Sequence, residues 1–239
     1  MVSRFTLDHA LFGARTGRGV RVAIVDSGLA PGHPHVGAVA EGISLVPSTD
    51  DVLDRVGHGT AVAAAIREKA SNAELVPVKV FDRALTTDAA TLSDAIRWAT
   101  DNACRIVNLS LGTSNTAHTA LLAGAIQYAV DRHVLVVSAY RSDSVRWFPG
   151  SLAGAVGVTG RTDVERDELD LALDIETGCS HLVASIYPRP IPGVPRERNL
   201  HGISFAVANA SGFLARLCEP PSLALPRAED VFAVLNGAA

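Results

Sequence analysis

"GVRVAIVDSG", residues 19–28, sets the architecture of this chain. Apart from Arg21, the run from Val20 to Val25 is apolar, largely β-branched and without polar alternation. Such a run reads as a strand buried on both faces, and Asp26-Ser27-Gly28 closes it as a turn.

Working outward, "HGTAVAAAIREKA" (58–70) reads as an alanine-rich helix and "ELVPVKVFD" (74–82) as a second strand. In "TTDAATLSDAIRWATDNA" (86–103) Thr86 or Thr87 is placed to cap a helix that carries Leu92, Ile96 and Ala99 on one face. "RIVNLSLG" (105–112) is a third strand, "NTAHTALLAGAIQYAVDRH" (115–133) a further helix, "VLVVSAY" (134–140) a fourth strand and "GAVGVTG" (154–160) another. Between Arg161 and Asn199 the pattern turns irregular, with four prolines and short strands expected. A buried helix from Ser204 and a short amphipathic one, "RAEDVFAVLNG" (227–237), follow. Alternating helices and unalternating apolar strands predict an α/β fold in three layers, a mostly parallel central sheet with helices on both faces. No repeat or linker divides residues 1–239, which are read as one domain.

The bulk numbers exclude several functions. A chain of 239 residues that is 48% hydrophobic and 19% charged has ample material for a core. Its net charge of −4 and lack of a basic stripe argue against a nucleic-acid partner. Lysine occurs only at 69 and 79. Three widely spaced cysteines with no CxxC pair suit reduced, partly buried thiols better than disulfides or zinc. The first twenty residues lack a signal-peptide core and no segment reaches transmembrane length, so a cytoplasmic protein without a membrane partner is expected.

In sheets of this kind ligands collect at the carboxyl ends of the strands, where Asp26, His58 and Ser204 fall. Each has an ordinary reading: Asp26 a turn carboxylate, His58 a structural histidine between two glycines, Ser204 the N-cap of its helix. Together they have a mechanical logic. A serine hydroxyl is a poor nucleophile until a base takes its proton, an imidazole titrates near neutrality, and a carboxylate on the far ring nitrogen fixes the tautomer. The order Asp, His, Ser is one of the known orders of such a triad.

At this point the chain resembles the subtilisin family of serine peptidases. "VAIVDSG" is similar to the family's aspartate motif, "GHGTAVAA" to its histidine motif and "GISFAVANASG" to its serine motif. "VPVKVFD", "IVNLSLG" and "WFPGSLAGAVGV" resemble landmarks between them, so the likeness runs from about Gly19 to Leu217. The resemblance implies a serine endopeptidase without a cofactor, in which Asp26 orients His58, His58 acts as base and then acid, and Ser204 attacks. It also implies that Ser110, Leu111 and Gly112 pair with the backbone of an extended peptide or protein substrate.

The departures bear on activity. The family's oxyanion asparagine follows the strand that "LVVSA" represents, but "SAYRSDSVRWFPG" has no asparagine there, leaving Tyr140, Arg141, Ser142 and Asp143 as candidates on a loop over 139–146. Losing one such donor costs about 10²–10³ in rate, a figure that itself comes from a subtilisin. Three readings follow: Arg141 or Ser142 replaces the amide beside the Ser204 backbone N–H, the enzyme is slow but adequate for one substrate, or the site is silent. Arg141 facing the pocket for an acidic residue is a further possibility. Ile203 and Ala208 stand where the family commonly has threonine and proline, and the short stretch from His58 to Lys79 has no room for a calcium-binding loop. The acidic run 162–176 reads as a solvated face rather than a cation site, so no metal is expected. With about twenty residues before the first strand, no propeptide is expected either. A narrow intracellular processing peptidase, controlled by its substrate or by a regulatory or substrate-delivery protein, fits these features. Its rivals are a catalytically silent peptide-binding module and an esterase or acyl transferase.

Overall fold

The computed structural model describes residues 2–142, 144–220, 225 and 227–238. In chain order the elements are β1 (Ser3–Thr6), β2 (Arg21–Asp26), β3 (Ile43–Ser44), α1 (His58–Lys69), β4 (Glu74–Lys79), α2 (Ala89–Asp101) and β5 (Ile106–Leu109). They continue with α3 (Thr119–Val130), β6 (Leu135–Ser142), β7 (Val145–Arg146), β8 (Val156–Arg161), β9 (Glu168–Leu173), β10 (Ser180–Ser185), α4 (Ile203–Leu217) and α5 (Ala228–Gly237).

One sheet carries every strand among the described residues, in the order β1-β9-β10-β8-β6-β5-β2-β4-β3, with β7 paired to β6. The run from β10 to β3 is parallel. The β1, β7 and β9 pairings are antiparallel. Both faces are apolar because alternate residues point to opposite layers. On β2, Val22 and Ile24 join the core under α1 and α4, and Ala23 and Val25 join the core under α2 and α3. On β5, Ile106 belongs to the first layer and Val107 and Leu109 to the second. This alternation aims Asp26, Asn108 and Ser110 at the α1/α4 layer.

Three local expectations are corrected. The cap of α2 is Asp88, whose carboxylate accepts from Thr91 N at 2.8 Å, not Thr86 or Thr87. The aspartate stands nearer the helix, and its charge suits the helix N-terminus better than a hydroxyl. The acidic run is not a solvated face throughout: it forms β9, where buried Asp170 accepts two bonds from Arg4 at 2.7 and 2.9 Å. Finally, the expected loop over 139–146 is the end of β6 and a tight return into β7. Of the cysteines, Cys104 and Cys218 are buried and Cys179 is exposed.

Both lysines are buried, which composition does not reveal. Lys79 donates to Leu53 O at 2.7 Å and pairs with Asp82 at 3.0 Å, tying down the segment before α1. Lys69 lies where α1 meets α4, so close to Gly212 that a Cβ on that glycine would stand 2.8 Å from its own. Among the described residues its ammonium has only Glu68, at 3.2 Å, and Glu68 also pairs with Arg166. Burial holds Lys69 down to about 8, against an ordinary 10.5. Between those two values the unfolded chain keeps a proton that the folded chain has lost, so folding stability from this group rises with pH across that window and is lowest below it. Lys69→Met leaves Glu68 paired with Arg166. It is expected to raise unfolding free energy at pH 7 by about 1–3 kcal/mol and to flatten the rise between pH 8 and 10.5, as urea titrations at several pH values will read.

Candidate active site

Asp26 ends β2 and is fully buried. Its Oδ1 accepts from Ser27 N and from His58 Nδ1, each at 2.8 Å, and its Oδ2 lies 3.0 Å from the same ring nitrogen. His58 opens α1. The helix reaches β2 this closely because residue 59 is glycine: a Cβ there would stand 2.2 Å from Gly28 O and 3.2 Å from Asp26 Cβ.

The first turn of α1 is capped from outside. Gly57, at φ 87°, offers no side chain. Asp54 accepts from Val56 N at 2.9 Å, Gly57 N at 2.7 Å and Thr60 N at 2.8 Å. Ser27 Oγ donates to Asp54 at 2.9 Å and accepts from Gly59 N at 3.0 Å. The unpaired donors of the helix start are thus satisfied by Asp54 and by Ser27, the residue that follows Asp26. Sequence reasoning missed Asp54, Ser27 and Thr60; the available signal was an acid four residues ahead of a helix that lacks its own capping side chain. Burial lowers the His58 pKa, but the hydrogen bond and charge of Asp26 and the charge of Asp54 outweigh it and leave the imidazole above its ordinary 6.5.

Ser204 is the second residue of α4. Gly202 before it takes φ 154°, a conformation that favours glycine, and donates to Ile186 O at 2.9 Å. α4 packs on α1, and the Phe205 ring lies 5.6 Å from the His58 ring. The Ser204 hydroxyl donates to Ser110 O at 2.9 Å. The structure therefore joins Asp26 to His58 and Ser204 to Ser110, and among the described residues no hydrogen bond links Ser204 to His58.

Ser110, Leu111 and Gly112 continue β5 past its last ladder residue. Leu111 O accepts from Ser138 Oγ at 3.2 Å, and a Cβ on Gly112 would stand 2.7 Å from Phe148 O. The oxyanion candidates fall elsewhere. Tyr140 sits at a register shift in β6, stacks on His181 at 4.8 Å, and donates to buried Asp174 at 2.6 Å. That bond holds Asp174 near 2, and burial with Asp174 raises the phenol. Arg141 pairs with Glu176 at 3.0 Å and with Asp174 at 3.6 Å. Both reach the turn after β9, Tyr140 through its hydroxyl and Arg141 through its two terminal nitrogens, while the buried Arg141 Nε has no hydrogen-bond partner among the described residues. Ser142 pairs with Val145 across the return and has no side-chain partner among the described residues. Asp143 lies outside them. Beside Gly57 and Thr60 opens a largely apolar cavity of about 530 Å³, lined also by Ala30, Pro188 and Leu200.

The chain was compared with known proteins. The Subtilase family matches residues 17–163, a span that holds Asp26, His58 and Ser110 and stops short of Ser204. Subtilisin Savinase of Lederbergia lenta is 31% identical over 216 residues, covering 84% of this chain and 76% of that protein. Alkaline protease of Alkalihalobacillus alcalophilus is 32% identical over 216 residues, covering 84% of this chain. The chain spans 54% of that protein's length and of M-protease from Shouchella clausii. Among solved structures, a cold adapted subtilisin-like serine proteinase has TM-score 0.70 at 23% identity, covering 93% of this chain and 83% of that one. A lanthipeptide protease has TM-score 0.70 at 19% identity, covering 95% and 82%. At such identities these two share the fold.

The role of Asp54 can be read without any substrate. Asp54→Asn keeps the shape but removes the charge behind His58. The His58 titration followed by NMR is expected to move down toward the ordinary value, and an unmoved midpoint would remove Asp54 from the site.

Proposed function

The chain belongs to the subtilase family, and on that premise we propose that it is a serine endopeptidase. Ser204 attacks the peptide carbonyl, His58 takes the hydroxyl proton and returns it to the leaving amine, and Asp26 holds the ring with Nε2 toward the nucleophile. The observation that carries this reading is the pair of short contacts between buried Asp26 and His58 Nδ1, at 2.8 and 3.0 Å. A buried carboxylate there selects the tautomer whose free Nε2 accepts a proton and steadies the imidazolium that results.

The substrate would lie extended along Ser110, Leu111 and Gly112, adding a strand by main-chain bonds. The developing oxyanion would meet the backbone N–H of Ser204 at the start of α4, where the helix dipole favours negative charge. With the Tyr140 hydroxyl and the Arg141 terminal nitrogens engaged by Asp174 and Glu176, Ser142 is the candidate among the described residues whose side chain is left without a partner there. A sparsely furnished anion site fits an enzyme of narrow range, and we extend the proposal to peptide processing in the cytoplasm.

A fluorophosphonate probe tests the nucleophile: labelling of the wild type and none of Ser204→Ala is expected. No labelling of either favours a silent binding module, and turnover of simple esters without peptides favours an esterase. Asp26→Asn should lower kcat by roughly 10⁴, the loss seen when a triad aspartate is neutralised. The raised His58 pKa sets the pH profile. Only the neutral ring is a base, so kcat/KM is expected to fall as pH drops through a midpoint above 6.5. Arg141→Ala tests the remaining point: turnover within about twofold is expected, whereas a drop of about 10²–10³ would return Arg141 to the oxyanion.

A further inference from the structure

A buried hydrogen-bonded chain runs from the middle of α4 to the nucleophile position, and the mechanism above does not use it. Ser211 Oγ donates to Asn108 Oδ1 at 3.0 Å, Asn108 Nδ2 donates to Ser110 Oγ at 2.8 Å, and Ser110 Oγ donates to Ser204 O at 3.1 Å. Ser211 and Asn108 are fully buried and Ser110 is 5% exposed. Each link fixes the next. With Oδ1 taken by Ser211, the Asn108 amide must present its N–H₂ to Ser110, and Ser110, used as an acceptor, has its own hydrogen left for Ser204 O. The last link then doubles back, because Ser204 Oγ donates to Ser110 O at 2.9 Å. Residues 110 and 204 hold each other by two reciprocal bonds.

The second of these bonds has a chemical consequence. A serine becomes nucleophilic by giving its proton to a base, yet here the Ser204 hydrogen rests on the Ser110 carbonyl. That carbonyl is also the acceptor an extended peptide would need in order to pair with the chain at Ser110, past the last ladder residue of β5. We propose that Ser110 is a positioning residue that keeps the Ser204 hydroxyl off His58 until a substrate N–H takes over its carbonyl, so that strand pairing arms the nucleophile. This rests on the peptidase reading. The exchange makes and breaks no covalent bond: one O–H to carbonyl contact is replaced by an N–H to carbonyl contact, and the hydroxyl turns about χ1 toward His58 Nε2. The carbonyl has a second lone pair, so the arriving N–H need not wait for a vacancy. It weakens the first bond by sharing the acceptor, while the carbon to be attacked comes within about 3 Å of Oγ. Asn108 and Ser211 set the strength of the latch.

The test compares two peptidyl phosphonates of the full chain's preferred sequence, one with the N–H nearest phosphorus and one N-methylated there, beside a simple alkyl fluorophosphonate. The maximal rate kinact is separated from KI for each. The N–H probe is expected to inactivate about three- to tenfold faster at saturation, the factor that one net hydrogen bond supports. Ser211→Ala frees the Asn108 amide to turn over and loosens the latch. It should raise kinact with the alkyl fluorophosphonate and bring the two peptidyl rates together, while Ser211→Thr keeps the hydroxyl and restores the difference. A purely structural role would slow all three probes in proportion. Equal kinact for the two peptidyl probes in the wild type, or that proportional loss in Ser211→Ala, overturns the latch alone. Failure of every probe to label Ser204 overturns the peptidase reading and the latch with it.

Discussion

The contact on which the rest of this structure turns is the seating of α1 against the end of β2. Gly59 lets the helix come within a distance that no side chain would allow, and only then do His58 and the buried Asp26 carboxylate meet at 2.8 Å. A buried carboxylate is costly unless its oxygens are met by donors. Here one oxygen takes two, from His58 and from the backbone of Ser27. The same helix start presents unpaired N–H groups, which Asp54 and Ser27 answer. One cluster therefore pairs the acid, caps the helix and orients the imidazole, and Lys79 anchors its outer edge through Leu53 O.

Much of this was legible in the chain. A run such as Val22 to Val25 is apolar at every position, which suits a sheet covered on both sides, and α/β layering followed. The strand ends gave Asp26 and Ser110, and the glycines around residues 58 and 204 gave the helix starts. What stayed hidden has a common cause. Asp54 is tied to Ser27, 27 positions away, and Ser211 to Asn108, 103 positions away, and no local pattern records such pairings. The partners of Tyr140 and Arg141 were hidden in the same way. They come from the turn after β9, in a stretch whose acidity read as solvation but which supplies buried Asp170 and Asp174 to Arg4 and Tyr140. The lysines are a further instance, since nothing in their neighbours announces that both would be buried.

The two halves of the site are built with different stiffness. His58 is fixed from three sides, by Asp26 at Nδ1, by the capped first turn of α1 and by the Phe205 ring. To move the ring would break a charge-assisted bond, worth about 1.5–3 kcal/mol, and disturb the cap as well. Ser204 is held by its backbone in α4, but its hydroxyl is committed by one neutral bond to Ser110 O, and a bond of that kind is worth only about 0.5–1.5 kcal/mol. A single χ1 rotation is thus the inexpensive coordinate in a setting where every other displacement is expensive. That asymmetry suits the peptidase proposed above. In that proposal, linking the nucleophile's orientation to correct strand pairing concentrates reactivity on extended peptides and spares carbonyl compounds that arrive without a backbone N–H.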